Sequence, residues 1–411
     1  MKPGLSGIDV FLLILVLVAR GSVAFGSELA STGTAPFIFD DNRVFAELAF
    51  VRPDGTLRKA FAFVDLGTPV MVLDQKVREE LEVDKKKILS FRVGDLEVQV
   101  DSSTVETDTE LGFTGHDGKR TVPVEAVLSG SVLKNYQVVF DYGKRTLTVA
   151  KPNTLKGNGN AVPCRVNDKT GLISLTAVIA EHSYAFAIDS GSAYSWIRDD
   201  IAQKWLKARP DWSRGIGAVG EANMQTRTNH AEAMATILRI PEIKLGSLQL
   251  RQVGVVGISP EIPLFPPAPG ENKVHGNFFD WYSRKAPETV TGWLGGNVLK
   301  GFRVMIDFPQ HITYWEQENE LDPHDLDQVG VTLEKRDDAY FIAGIAEKNG
   351  KPTADTVRVG DKLVQVDDVC LSSATRGAVF AALHGKPGTI RMLVVERDGK
   401  QLTLPVKVTA F

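Results

Sequence analysis

Twice in this chain an apolar run leads into an aspartate, and two residues later come a glycine and a hydroxyl residue. The first copy is Phe61-Ala62-Phe63-Val64-Asp65-Leu66-Gly67-Thr68, and the second is Tyr184-Ala185-Phe186-Ala187-Ile188-Asp189-Ser190-Gly191-Ser192. One Asp-x-Gly-hydroxyl turn constrains little. Here each copy is followed by a second shared signature. Val127-Leu128-Ser129-Gly130 leads into Val132-Leu133-Lys134-Asn135-Tyr136-Gln137-Val138-Val139-Phe140-Asp141-Tyr142. Trp293-Leu294-Gly295-Gly296 leads into Val298-Leu299-Lys300-Gly301-Phe302-Arg303-Val304-Met305-Ile306-Asp307-Phe308. Self-similarity in matching order points to a duplicated unit. The fold must then join two related halves, each supplying one aspartate.

Short Val/Ile/Phe-rich runs alternate with Gly, Pro and Asp turns, which is an all-β pattern. Arg43–Phe50 and Tyr136–Phe140 are examples. The repeat places lobe one at 37–156 and lobe two at 163–320, linked by the polar Lys156-Gly157-Asn158-Gly159-Asn160. Lobe two carries a Pro-rich insertion, Pro263 to Lys273, that reads as a surface loop. An acidic, polar stretch from Glu316 to Asp327 marks a second boundary, leaving a third unit at 328–411. Helices are few. Asp74 to Leu81 is predicted to be one, with Asp74 as N-cap, and Asp199 to Ala208 another, stopped by Pro210. In the third unit Ser373 to Leu383 reads as an amphipathic helix, and Arg397-Asp398-Gly399-Lys400 as a hairpin with an Asp-Gly turn.

A chain of 411 residues has room for two or three domains. Its net charge of −4 gives no electrostatic footprint for nucleic acid. Lys2 precedes the apolar run Val10–Ala19, and Ser22-Val23-Ala24 offers small residues, so 1–24 reads as a secretory signal peptide. An uncleaved N-terminal anchor is the alternative. The two cysteines, Cys164 and Cys370, read as unpaired buried thiols, with an interdomain disulfide as the alternative. None of the seven histidines are spaced i, i+4, and no Cys/His cluster has metal spacing. No Gly-x-Ser-x-Gly elbow anchors a serine triad. Gly215-x-Gly217-x-x-Gly220 matches a dinucleotide fingerprint, but Arg209-Pro210-Asp211-Trp212-Ser213-Arg214 precedes it instead of an apolar strand. No cofactor, metal or nucleotide is expected.

Two carboxylates held a few ångströms apart cannot both ionise, so the pair shares a proton. The ionised member can take a proton from water, and the protonated member can donate to a carbonyl oxygen. A glycine beyond the aspartate lets backbone come close to a carboxylate. Across both lobes, roughly 37–320, the chain resembles the aspartic peptidases of the pepsin and retropepsin superfamily. The resemblance implies a mainly β, bilobal fold with Asp65 and Asp189 as catalytic dyad. Gly67 and Thr68, and Ser190, Gly191 and Ser192, would support the two turns, with Gly130 and Gly296 packing behind them. Leu66 departs from the family, which has Thr or Ser there to reach across to the opposite lobe; Ser190 keeps that hydroxyl. The covering hairpin also departs, because lobe one looks too short for it between Leu81 and Phe91. Gly215–Gly220 in lobe two and Phe113–Gly118 in lobe one are candidate covers.

From Val329 onward the chain resembles a PDZ domain of the type found in exported bacterial proteases. The matching residues are Val359-Gly360-Asp361-Lys362-Leu363, Val366-Asp367, and Gly385-Lys386-Pro387-Gly388-Thr389 leading to Glu396-Arg397-Asp398-Gly399. Such domains add a peptide C-terminus as an extra strand. The resemblance implies that Val329, Gly330, Val331, Thr332 and Leu333 hold the peptide, facing the helix of Ala378 and Phe380. The combined expectation is an exported aspartic endopeptidase, periplasmic or secreted, membrane-anchored only if the N-terminal segment stays uncleaved. Its partner is a polypeptide substrate or a peptide C-terminus, not nucleic acid. The rival expectation is a non-catalytic peptide-binding protein of the cell envelope.

Overall fold

The computed structural model describes residues 30–108, 114–116, 121–217, 232–261, 277–336 and 339–411. The N-terminal segment 1–24 and the Pro263–Lys273 insertion lie outside the described residues. Lobe one contains β1 (Thr32–Asp40), β2 (Arg43–Val51), β3 (Leu57–Asp65), β4 (Met71–Asp74), β5 (Ile88–Val93), β6 (Leu96–Asp101), β7 (Val105–Asp108), β8 (Thr114–His116), β9 (Thr121–Pro123), β10 (Ala126–Ser129), β11 (Gln137–Asp141) and β12 (Thr146–Ala150). Its helices are α1 (Gln75–Glu80) and the single turn α2 (Gly130–Leu133). Lobe two contains β13 (Asn160–Val166), β14 (Ile173–Ile179), β15 (His182–Ile188), β16 (Ser195–Arg198), β17 (Arg214–Ile216), β18 (Thr236–Leu245), β19 (Leu248–Ile258), β20 (Gly292–Leu294), β21 (Phe302–Asp307) and β22 (Ile312–Gln317). Helices α3 (Asp199–Ala208) and α4 (Phe278–Lys285) and the single turn α5 (Gly296–Leu299) accompany them.

The duplication is topological as well as sequential, and the fold is bilobal and mainly β. In lobe one β10 threads between β3, to which it is parallel, and β4, to which it is antiparallel. In lobe two β20 threads in the same way between β15 and β16. The registers agree: Val127 pairs with Phe63 and Trp293 with Ala187, each two residues before its aspartate. The strand after each aspartate runs parallel to a further strand, β4 to β7 and β16 to β19. One antiparallel sheet in the order β1-β12-β11-β21-β22-β13 joins the lobes, with Val139 opposite Met305 at its centre.

Period-two alternation explains the packing of β2. Val44, Ala46, Leu48 and Phe50 enter the large shared core, while Phe45 turns to a smaller cluster with Phe63, Val124 and Val127 on the other face. Helix α1 is capped as its sequence predicts, with Asp74 accepting from the Lys76 N–H. Helix α3 keeps its predicted bounds.

The third unit is a sheet in the order β23-β24-β27-β29-β30, with β28 beside β27. Its strands are β23 (Val331–Arg336), β24 (Ala339–Ile345), β27 (Lys362–Val366), β28 (Val369–Cys370), β29 (Ile390–Arg397) and β30 (Lys400–Lys407), over its own apolar core with α6 (Arg376–Leu383). The short strands β25 (Glu347–Lys348) and β26 (Lys351–Pro352) follow β24 but pair into the sheet of lobe two, where Glu347 lies opposite Ile216 of β17. Helix α6 starts at Arg376 rather than Ser373, because the Thr375 hydroxyl caps the Ala378 N–H. Asp398 and Gly399 both have positive φ, as a two-residue hairpin turn demands.

Two expectations change. Strand β1 starts at Thr32, ahead of residue 37, because Thr32–Pro36 pair with β12. Both cysteines are free, but only Cys164 is buried; Cys370 is exposed on the two-residue strand β28. The acidic stretch at the second boundary ends in a buried polar cluster. Asp325 and Asp327 are buried against Arg239, which donates to Asp325 Oδ1 at 2.8 Å, and the Asn297 amide donates to Asp325 Oδ2 at 2.7 Å. Among the described residues no helix is long and apolar enough to cross a membrane.

Candidate active site

Strand β3 ends at Asp65 and β15 ends one residue before Asp189, and the shared sheet brings these ends face to face. The closeness is set by two glycines. A Cβ on Gly67 would lie 2.5 Å from Cγ of Asp189, and a Cβ on Gly191 would lie 2.4 Å from Cγ of Asp65. Each turn thus presses bare backbone against the opposite carboxyl, and only glycine permits that approach. The two carboxyl groups lie near enough for each to shift the other's ionisation.

Their surroundings are unequal. Asp65 accepts at Oδ1 from the Gly67 N–H at 2.8 Å and at Oδ2 from the Thr68 hydroxyl. Asp189 accepts twice at Oδ1, from the N–H groups of Gly191 at 2.9 Å and Ser192 at 3.0 Å. The Ser192 hydroxyl, expected to orient Asp189, instead donates to the Tyr194 carbonyl at 2.6 Å. Oδ2 of Asp189 receives no donor from its own turn. Burial raises the pKa of both groups. For Asp65 the bonds from Thr68 and Gly67 oppose burial, whereas for Asp189 the charge on Asp65 adds to it and drives the value well up. The pair therefore retains a shared proton at pH values where a lone carboxyl would have lost it.

Ser190 clamps the lobes. Its buried hydroxyl accepts from the Leu66 N–H at 3.1 Å and donates to the Val64 carbonyl at 2.8 Å. Leu66 cannot return the bond. Its side chain is buried in the large core instead, so the clamp is one-sided. Gly130 and Gly296 follow the strands that run beside the two aspartates. They open α2 and α5 and receive turns from the other lobe: a Cβ on Gly130 would lie 2.6 Å from the Gly171 carbonyl oxygen, and one on Gly296 1.8 Å from that of Asn42.

Sequence reasoning missed two groups. Arg43, 1% exposed, donates from Nε to the Gly191 carbonyl at 2.9 Å and pairs through Nη1 with Asp41. Its only sequence signal is an Asp-Asn turn before an arginine at the head of an apolar strand. The second group is an aromatic cluster from α4. Tyr282 sits edge-on to Trp293 at 4.8 Å, with Phe279 5.0 Å from the same ring. The Tyr282 hydroxyl is buried with no hydrogen-bond partner among the described residues, and burial, then the charge on Asp189, raises its pKa strongly.

A hairpin does exist in lobe one. Strands β5 and β6 meet at a Gly94-Asp95 turn just beyond the stretch judged too short. Its tip is pinned to β1, where a Cβ on Gly33 would strike the Val93 carbonyl. Of Gly215–Gly220, Gly215 and Ile216 lie on β17 and Gly217 follows; 218–220 lie outside the described residues. Of Phe113–Gly118, only 114–116 are described, as β8. Val329, Gly330, Val331, Thr332 and Leu333 are all buried. The Val329 N–H already donates to the Leu383 carbonyl, and the Gly330 carbonyl accepts from Ala346.

No family model matches the sequence, and no curated protein does. Among solved structures, the crystal structure of the aspartic proteinase from Irpex lacteus matches at 11% identity and a TM-score of 0.37, over 70% of this chain and 97% of that one.

Proposed function

We propose that this chain is an aspartic endopeptidase that hydrolyses polypeptides with water activated between Asp65 and Asp189. The observation that carries the reading is the seating of each carboxyl against the other lobe's glycine turn, which brings the two aspartates into one buried site. Asp65 would accept a proton from the water as it attacks the scissile carbonyl. Asp189 would donate its proton to the carbonyl oxygen, and the tetrahedral intermediate would collapse as the amine leaves protonated. No covalent intermediate is required. The third unit is read as a PDZ-like domain that recruits or gates polypeptide, and the protein as exported, periplasmic or secreted. A second reading, a non-catalytic peptide-binding protein, is favoured by Leu66, which leaves the clamp one-sided.

The test is cleavage of a denatured protein or a peptide library by the purified protein from acidic to neutral pH. Cleavage that disappears in Asp189→Asn supports the peptidase. No cleavage at any pH, with binding of peptide unaffected by either aspartate, establishes the second reading.

A further inference from the structure

The turn between β1 and β2 is where three parts of the molecule meet. Asp41 and Asn42 have φ of 49° and 55°, a left-handed pair that forms a two-residue hairpin tip. Lobe two holds one side of this tip: Asn42 abuts Gly296, and Lys300 Nζ donates to Asn42 Oδ1 at 3.2 Å. The C-terminal unit holds the other side with the first turn of α6. The Thr375 hydroxyl donates to Asp40 Oδ1 at 2.7 Å and the Gly377 N–H to Oδ2 at 3.1 Å, with positive helix dipole toward the carboxylate. A Cβ on Gly377 would lie 2.4 Å from Asp40 Oδ1 and 2.5 Å from the Asp41 nitrogen, so the two backbones are in close contact.

Asp41 is the hinge of this junction. One oxygen, Oδ2, accepts from Arg43 on one side and from Arg376 Nε at 2.9 Å on the other. All three groups are shielded, with side-chain exposures of 4% for Asp41, 1% for Arg43 and 17% for Arg376. Arg43 in turn holds the carbonyl of Gly191, the residue whose N–H fixes Asp189 and whose backbone touches Asp65. An unbroken polar chain therefore runs from α6 through Asp41 and Arg43 to the second aspartate turn. A guanidinium with two fixed partners has one orientation, whereas with its carboxylate free to turn it has several.

We infer that Arg43 is a positioning residue for the aspartate pair, and that the C-terminal unit keeps it in place through the Arg376–Asp41 contact. The inference rests on the peptidase reading for its consequence in catalysis, but not for its geometry. The C-terminal unit is then part of the catalytic body: whatever shifts α6 shifts the Gly191 carbonyl.

The experiment uses the full chain. Arg376→Gln removes the charge from the edge of the junction and leaves Arg43 and both aspartates in place. On a peptide that the native protein cleaves, kcat should fall by about 10-fold while KM stays within about 3-fold, because the change acts on geometry rather than on substrate contacts. Arg376→Lys, which keeps the charge, should recover part of the loss. Independently of cleavage, the Ser192 amide signal in nuclear magnetic resonance reports on the peptide group whose oxygen Arg43 holds. It should move in Arg376→Gln although residue 376 lies in another unit. An unchanged kcat, where Asp189→Asn abolishes cleavage, would overturn the inference, and so would an unmoved Ser192 signal. If the native protein cleaves nothing, the peptidase reading fails and the Ser192 signal alone decides the coupling.

Discussion

Replacing Ser190 by alanine tests the one-sided clamp. The hydroxyl makes two bonds across the lobes, from the Leu66 N–H and to the Val64 carbonyl, and it is 1% exposed. Each such bond contributes about 1 kcal/mol net, and a buried N–H left without a partner costs about 1–3 kcal/mol. Alanine fills nearly the same space, so little cavity cost is added. The expected loss is therefore about 2–4 kcal/mol for the body formed by the two lobes, or roughly 5–10 °C in Tm for a cooperative unit of this size. Ser192→Ala is the control. Its hydroxyl bonds only the Tyr194 carbonyl within its own lobe, so a loss of about 1 kcal/mol is expected. Both are measured by urea unfolding followed by tryptophan fluorescence. If Ser190→Ala lies within about 0.5 kcal/mol of the native protein, or loses no more than Ser192→Ala, the hydroxyl is not holding the lobes together. The reverse change is also informative. Leu66→Thr would restore a second hydroxyl but withdraws a side chain from the large core, so its gain in symmetry comes with lost apolar burial.

Three further outcomes are expected. Asp189 has a folded pKa raised above its unfolded value, so its ionisation opposes folding above the ordinary carboxylate pKa, and that penalty grows as pH rises through the folded value. Asp189→Asn should thus be more stable than the native protein at neutral pH, with the gap closing toward pH 4 in thermal melts; a gap independent of pH would refute the assignment. Gly67→Ala and Gly191→Ala each drive a Cβ into the opposite carboxyl, and each should abolish cleavage while leaving peptide-chain folding detectable by circular dichroism. Activity within a few-fold of native would show that the aspartates are not held as described. In the C-terminal unit, Arg397 and the Arg358 N–H hold buried Asp361, with Arg397 the main cause of its lowered pKa. Arg397→Ala should destabilise that unit at neutral pH, and the difference should vanish as pH falls below the ordinary aspartate value.

Local patterning made much of the fold legible. The doubled Asp-x-Gly-hydroxyl turns, the matching Val127 and Trp293 signatures, the Asp74 cap and the Asp398-Gly399 hairpin depend on residues close in sequence, and the structure places each where its pattern predicts. What the pattern missed lies in contacts between distant residues. Arg43 and Gly191 are 148 positions apart, and nothing around Arg43 marks it as part of the site. The motif marks Ser192 as supporting its turn, but does not reveal that its N–H serves Asp189 while its hydroxyl serves the Tyr194 carbonyl. The acidic run to Asp327 marks a boundary by composition, but composition does not reveal that Arg239, 86 positions from Asp325, makes the burial of that aspartate possible.

The sequence by itself determined that two related β-units each end a strand at an aspartate, because alternation and turn chemistry act over a few residues. Only the tertiary structure decided that the two carboxyls meet and that burial raises the pKa of both. It alone also showed that a buried arginine ties the pair to the C-terminal unit. These outcomes depend on which donors reach which oxygen atom after the lobes have joined, and that is fixed by long-range packing rather than by neighbours along the chain.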